Sequence, residues 1–484
     1  MFNPLILSKM KKLYIMILLV LTGTMALAQT SVWHGERAIW TRGTGTQNDP
    51  FLIESADNLA YLAYVVNKGF DTQDMYFRLT TNIDLNGSED QQWVPIGIDM
   101  WFSEDECYRG RVSGFYGFIP LGFRGHFDGG EHEISNIYID NSEKIYGNYG
   151  GLFGKVQGVR DGQDTYPAVV ENVFVTNGFI KGSCCGGIVA NGNSTTLVSR
   201  CWNGATIVGT GSGMYREGSG GIVGTDAYQV VNCYNKGDIS GYCVGGIVGT
   251  GSANLIEECY NEGDVTGTYA GGIFGAAQQN RMVINNCYNM GSISADGSVM
   301  SNVPVGPAAA GIAAYIWRIS SNNSITNCYN VGAISSTKDA GCIVAFDPSG
   351  MTFENNFYIS TCDAGGEGDP LDEDFMQSQA FVDFLNSLGT GQVWVLDENN
   401  TNGGFPVLAG IDLAVGEMPD TPFSVYPNPT QGQFTVEGTG TVRIINMMGQ
   451  VVGTREIDGR QTFTLPKGMY FVTLNGQTAK VVVE

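Results

Sequence analysis

Two short elements alternate through the middle of this chain, and their period restricts the fold more than any other feature. The first is a Gly-Gly-apolar run, found at Gly150-Gly151-Leu152-Phe153-Gly154, Gly186-Gly187-Ile188-Val189, Gly220-Gly221-Ile222-Val223-Gly224, Gly245-Gly246-Ile247-Val248-Gly249 and Gly271-Gly272-Ile273-Phe274-Gly275. Weaker copies follow at Gly311-Ile312 and Gly341-Cys342-Ile343-Val344. The second is Cys-aromatic-Asn, at Cys201-Trp202-Asn203, Cys233-Tyr234-Asn235, Cys259-Tyr260-Asn261, Cys287-Tyr288-Asn289 and Cys328-Tyr329-Asn330, fading at Phe357-Tyr358. From Cys233 to Gly246 and from Cys259 to Gly272 the offset is the same, which sets a unit of about 26 residues. Each unit holds three short runs rich in Val, Ile, Tyr and Phe, bounded by Gly, Asn or Ser, and none has helical periodicity. Such a period specifies a parallel β-helix, a solenoid whose coils stack at about 4.8 Å. Six or seven coils make a rod on the order of 30 Å long. Gly is 68 of 484 residues without any collagen-like triplet, and tight turns between crowded coils account for that excess.

These repeats resemble the GLUG motif of bacterial surface proteins, whose core is Gly-Gly-[Ile/Leu]-[Val/Phe]-Gly. The preceding Phe123-Arg124-Gly125-His126-Phe127-Asp128-Gly129-Gly130-Glu131-His132-Glu133-Ile134 and Trp93-Val94-Pro95-Ile96-Gly97 look like the opening coil of that family. The resemblance spans roughly residues 40 to 410 and implies architecture, with an adhesin-like role as its loose functional corollary.

Both ends read as transport signals. Met10-Lys11-Lys12 precedes the apolar run Leu13 to Leu21, and Ala26-Leu27-Ala28 supplies a cleavage site before Gln29. The run is too short for a bilayer span, so no transmembrane anchor is expected after cleavage. At the other end come Tyr426-Pro427-Asn428-Pro429, Met447-Met448-Gly449-Gln450, Gly468-Met469-Tyr470-Phe471-Val472 and Lys480 before the terminus. Short alternating strands there predict a small Ig-like β-sandwich. Their order resembles the C-terminal sorting domain of the type IX (Por) secretion system of Bacteroidetes. The resemblance implies the secretion machinery as a partner, a place at the cell surface or outside, and later removal of the domain.

The expected organisation is a signal peptide (1–28), an N-terminal region with a capping helix (29–119), β-helix repeats (120–365), a C-terminal cap (366–410), a linker (411–422) and the sorting domain (423–484). Ser55-Ala56-Asp57-Asn58 caps a helix with Leu59, Leu62, Ala63 and Val66 on one face; Phe381, Phe384, Leu385 and Leu388 form a second stripe. Both helices are expected as lids over the open ends of the stack.

The formal charge is −23, concentrated between the two ends, and such a surface excludes nucleic acid as a partner. Five of the 11 cysteines recur in one slot and predict a buried row of free thiols; Cys184, Cys185 and Cys243 are the better candidates for a bridge. Trp202, Tyr234, Tyr260, Tyr288, Tyr329 and Tyr358 predict a column along the rod. Outward it would offer a strip for stacking sugar rings; inward it is core. Ile256 and Ile284 share the tyrosine face by parity, yet polar Glu258 and Asn286 intervene, so a bend is required there. The aromatic segment Ile98 to Ile119, with Trp101 and Tyr108, is a second candidate binding element.

A polysaccharide lyase or glycoside hydrolase is the rival to an adhesin, and a structural surface component is the third reading. The conspicuous acids are Asp128, Glu131, Glu133, Asp238, Asp264 and the run Glu104-Asp105-Glu106; Asp128 belongs to a turn, and Asp238 and Asp264 repeat with the period, which points to turn chemistry. His34, His126 and His132 lack ligand spacing, and no phosphate loop, nucleophile elbow or zinc motif occurs. No cofactor is expected, and Ca²⁺ has no motif to support it. The ligand expected is a glycan or a host or matrix protein.

Overall fold

The computed structural model describes residues 30–101, 118–142, 148–161, 164–212, 217–277, 282–297, 306–316, 323–345, 351–388, 392–410, 424–446, 451–474 and 477–483. The signal segment and the linker lie outside these residues.

The body is a right-through stack of parallel strands forming three long sheets. One coil shows the rule. Val248–Glu257 runs in the first sheet, the chain bends at Glu258, Tyr260–Asn261 joins the second sheet, and Val265–Gly271 the third. Each strand pairs in parallel with its counterpart in the neighbouring coils, as in Ile256↔Ile284, Tyr260↔Tyr288 and Val265↔Ile293. Every coil therefore delivers the same slot to the same place.

The bend required by the parity of Ile256 and Tyr260 is present. Glu258 and Asn286 have φ of 53° and 51°, and the equivalent residues Asn172, Arg200, Asn232, Asn327 and Asn355 are likewise left-handed. Asn tolerates this region better than most residues, which explains its dominance in the column. Behind each bend the Cys is buried. Cys201, Cys233, Cys259, Cys287 and Cys328 form the predicted row of free thiols in the rod's interior.

The two sequence motifs interlock inside the coil. Asn203, Asn235, Asn261, Asn289 and Asn330 point inward with no exposure, and the Nδ2 of each of the first four donates to the Oδ1 of the next at 2.8 Å. Against them sits the second Gly of each Gly-Gly pair. A Cβ on Gly246 would lie 2.0 Å from the Gly272 carbonyl oxygen and 2.4 Å from Asn261 Cγ. The pair recurs because the coil is pinched where carboxamide meets backbone.

Helix α1 (Ala56–Val66) has Ser55 Oγ accepting from the Asn58 backbone N–H, and it buries Leu59, Leu62, Ala63 and Val66 against the interior cluster. At the other end the last coil closes differently from expectation. Cys342 and Cys362 form a disulfide, whereas Cys184, Cys185 and Cys243 are buried and not disulfide-bonded. Their slots lie inside stacked strands, while Cys342 and Cys362 flank the irregular last turns where two chain segments converge. Helices α2 (Glu373–Met376) and α3 (Gln379–Leu388) lie on the flank of the second sheet, not over the end of the stack.

Residues 424–483 form five antiparallel strands around their own apolar core of Phe434, Val436, Val442, Ile444, Tyr470, Val472 and Val481. The molecule is all-β, a β-helix followed by a small β-domain.

Candidate functional site

The two-residue strands of the second sheet set the candidate site. In each, Asn points into the rod and the preceding aromatic points out. The outward column is Phe174, Trp202, Tyr234, Tyr260, Tyr288, Tyr329 and Phe357. Tyr358 takes the inward slot, so Phe357 carries the column there, a correction to the expected register.

In-register pairing makes the rings stack. Trp202–Tyr234, Tyr234–Tyr260, Tyr260–Tyr288 and Tyr288–Tyr329 have centroids 5.5, 4.8, 4.8 and 4.9 Å apart and interplanar angles of 6°, 4°, 3° and 5°. The choice between outward strip and core has a third answer: the column faces away from the rod, yet much of it is covered by the C-terminal segment. Trp394 leans on Tyr288 and Tyr329 at 6.0 and 5.4 Å, and Phe381 meets Tyr329 and Phe357 edge-on. Val382, Leu385, Phe405 and Leu408 complete the cover. The Tyr329 hydroxyl donates to the Pro406 carbonyl oxygen at 2.5 Å.

Tyr260, Tyr288 and Tyr329 consequently have no exposed surface, which corrects their expected place on a free strip. Burial raises all three phenols well above the ordinary tyrosine value. Phe174 and Trp202 lie beyond the cover and keep part of their surface, and Tyr234, also partly exposed, packs against its edge. Two places after Tyr288, Tyr329 and Phe357, Met290, Val331 and Ile359 pack against the cover, whereas Lys236 and Glu262, two places after Tyr234 and the buried Tyr260, pair at 3.5 Å. Lys236 Nζ sits 5.6 Å from the Tyr234 ring centroid.

Ile98–Trp101 and Phe118–Leu121 form an antiparallel hairpin stem. Tyr108 and Glu104-Asp105-Glu106 lie outside the described residues.

Three of the candidate acids accept from backbone N–H groups. Asp128 Oδ1 accepts from Gly130 N–H and from Asn172 Nδ2, while Asp238 and Asp264 accept from the N–H of Asp264 and Ser292 in the following coils. His132 contacts Asn82, and burial first, with Arg78 next, lowers its pKa. His126 Nε2 lies 2.5 Å from Glu171 Oε1 and its ring packs on Tyr76. Among the described residues no group of three or more His, Cys, Asp or Glu could hold a metal ion. No described helix is long and apolar enough to cross a membrane.

Residues 424–484 match the family "Secretion system C-terminal sorting domain". Through it the protein is exported by the type IX system and is either attached to the outer membrane surface or released outside. A "Putative Gly-rich membrane protein" of Evansella cellulosilytica is 29% identical over 129 residues, covering 26% of this chain and 12% of that protein. Halomucin of Haloquadratum walsbyi is 28% identical over 195 residues, 39% of this chain and 2% of its own length. The chain thus spans only a small part of the length of these relatives. A solved structure described as a "putative immunoglobulin A1 protease" from Bacteroides ovatus is similar at 20% identity and a TM-score of 0.46, over 77% of this chain and 95% of that one.

Proposed function

We propose that this exported rod is an adhesin-like protein built from GLUG-type repeats, and that it holds the cell to an extracellular glycan or protein. One observation carries the reading: a column of aromatic rings faces outward along the rod, and Phe174 and Trp202 at one end of it keep part of their surface. Such rings are exposed at a cost in water and make effective anchors for a partner. A rigid stack also suits display, since neighbouring coils hold each ring in place without loop ordering on binding.

Deleting the gene should reduce attachment of cells to glycan- or matrix-coated surfaces, while the purified protein should leave polysaccharides undegraded. Unchanged attachment combined with an altered envelope would favour a structural component. Release of shortened oligosaccharides would favour a lyase or hydrolase.

A further inference from the structure

We propose that the sorting domain docks back onto the flank of the rod, with Arg443 as a latch received by Glu257 and Glu258, and that the contact is releasable. It is independent of what the rod binds.

The latch is shaped from both sides. Arg443 lies in the strand Gln433–Asn446 between Val442 and Ile444, which are buried in the domain's own core, so alternation turns Arg443 away from that core. On the rod, Glu257 ends the strand Val248–Glu257 and Glu258 is the left-handed bend that follows. Arg443 Nη1 donates to Glu258 Oε1, and Nη2 lies 3.4 Å from Glu257 Oε1. The next coil holds Glu257 in place, since Asn285 Nδ2 donates to the same Oε1 at 2.9 Å. A fork of two N–H donors on two carboxylates fixes direction as well as charge.

Burial separates this pair from ordinary surface pairs. The side chains of Arg443 and Glu257 are 12% and 4% exposed, whereas Arg460, paired with Glu437 inside the sorting domain, is 70% exposed. Leu255, two places before Glu257, shares its outward face and is itself buried, so the pair adjoins apolar surface. Overall charge favours the same encounter. Residues 29–423 carry 17 basic and 44 acidic side chains, and residues 424–484 carry five and four. The 13 residues between Gly410 and Ser424 reach at most about 45 Å, ample for coils about 4.8 Å apart.

Release follows from what the contact lacks. No strand pairs across it. Desolvation offsets much of the attraction in an enclosed ion pair, and Arg443 Nε is buried without a hydrogen-bond partner among the described residues. The domain is therefore parked on the rod without becoming part of it, as suits a segment that is handed to export machinery.

The test is small-angle X-ray scattering on the full chain and two variants. The wild type should fit one docked particle. Arg443→Glu should raise the radius of gyration by a few ångströms, with the melting of the rod unchanged. Adding Glu258→Arg to Arg443→Glu should restore the wild-type profile. That bend accepts Arg, because Arg200 holds the equivalent left-handed position. A wild-type profile that requires a freely swinging domain would overturn the proposal. So would an Arg443→Glu profile identical to it, or a charge swap that restores nothing.

Discussion

A single left-handed residue turns each coil from its first sheet to its second, and most of the coils use Asn for it. Asn232→Ala should cost about 1 kcal/mol, the penalty of placing an ordinary side chain at positive φ, whereas Asn232→Gly should be close to neutral. Thermal unfolding of the two variants separates the backbone effect from any loss of side-chain contact. The Asn ladder behind the bend is more sensitive. Asn261 accepts from Asn235 and donates to both Asn289 and the Gly263 carbonyl. Asn261→Ala strands two buried carboxamides at once and should cost about 2–4 kcal/mol. The bend was legible because Ile256 and Tyr260 share a parity that polar Glu258 contradicts. The ladder was not, since the sequence shows Asn recurring but not that Gly-Gly closes on it from across the coil.

At the scale of elements, the cap behaves as a ligand that the chain supplies to itself. Phe381 and Leu385 were readable as an apolar stripe, but nothing local says which surface the stripe seeks. The direction of the tyrosines and the position of the cap answer each other, and the residues involved lie far apart in sequence. Trp394→Ala should destabilise the cap by about 3–5 kcal/mol through the cavity it leaves. A pH effect follows from the same burial. The folded protein keeps the protons of Tyr260, Tyr288 and Tyr329 at pH values where the unfolded chain releases them, above about pH 10. The contribution is whole below that value and is lost as pH climbs past it. Tyrosinate absorbance during an alkaline titration should show a set of late-titrating phenols that includes these three, reduced in number in Trp394→Ala.

For the molecule as a whole, the repeat period alone conveyed the solenoid, because every coil solves the same packing problem in the same way. The bridge at Cys342 and Cys362 escaped notice for the opposite reason: it sits where the repeat fades and spacing no longer informs. The sorting domain has its own core and pairs only its own strands. Removing residues 424–484 should therefore leave the rod folded but retained within the cell envelope, which fractionation with an antibody to the rod would reveal. Secretion of the truncated chain at the normal level would contradict the assignment.

The row of interior cysteines has a practical consequence. Because each bend buries one unpaired sulfur in a different coil, the rod carries a numbered set of reporters along its axis. Stack opening in a repeat protein spreads between neighbours. A thiol-alkylating reagent followed by peptide mass mapping would therefore record which end frays first, and how far, without the addition of a single label.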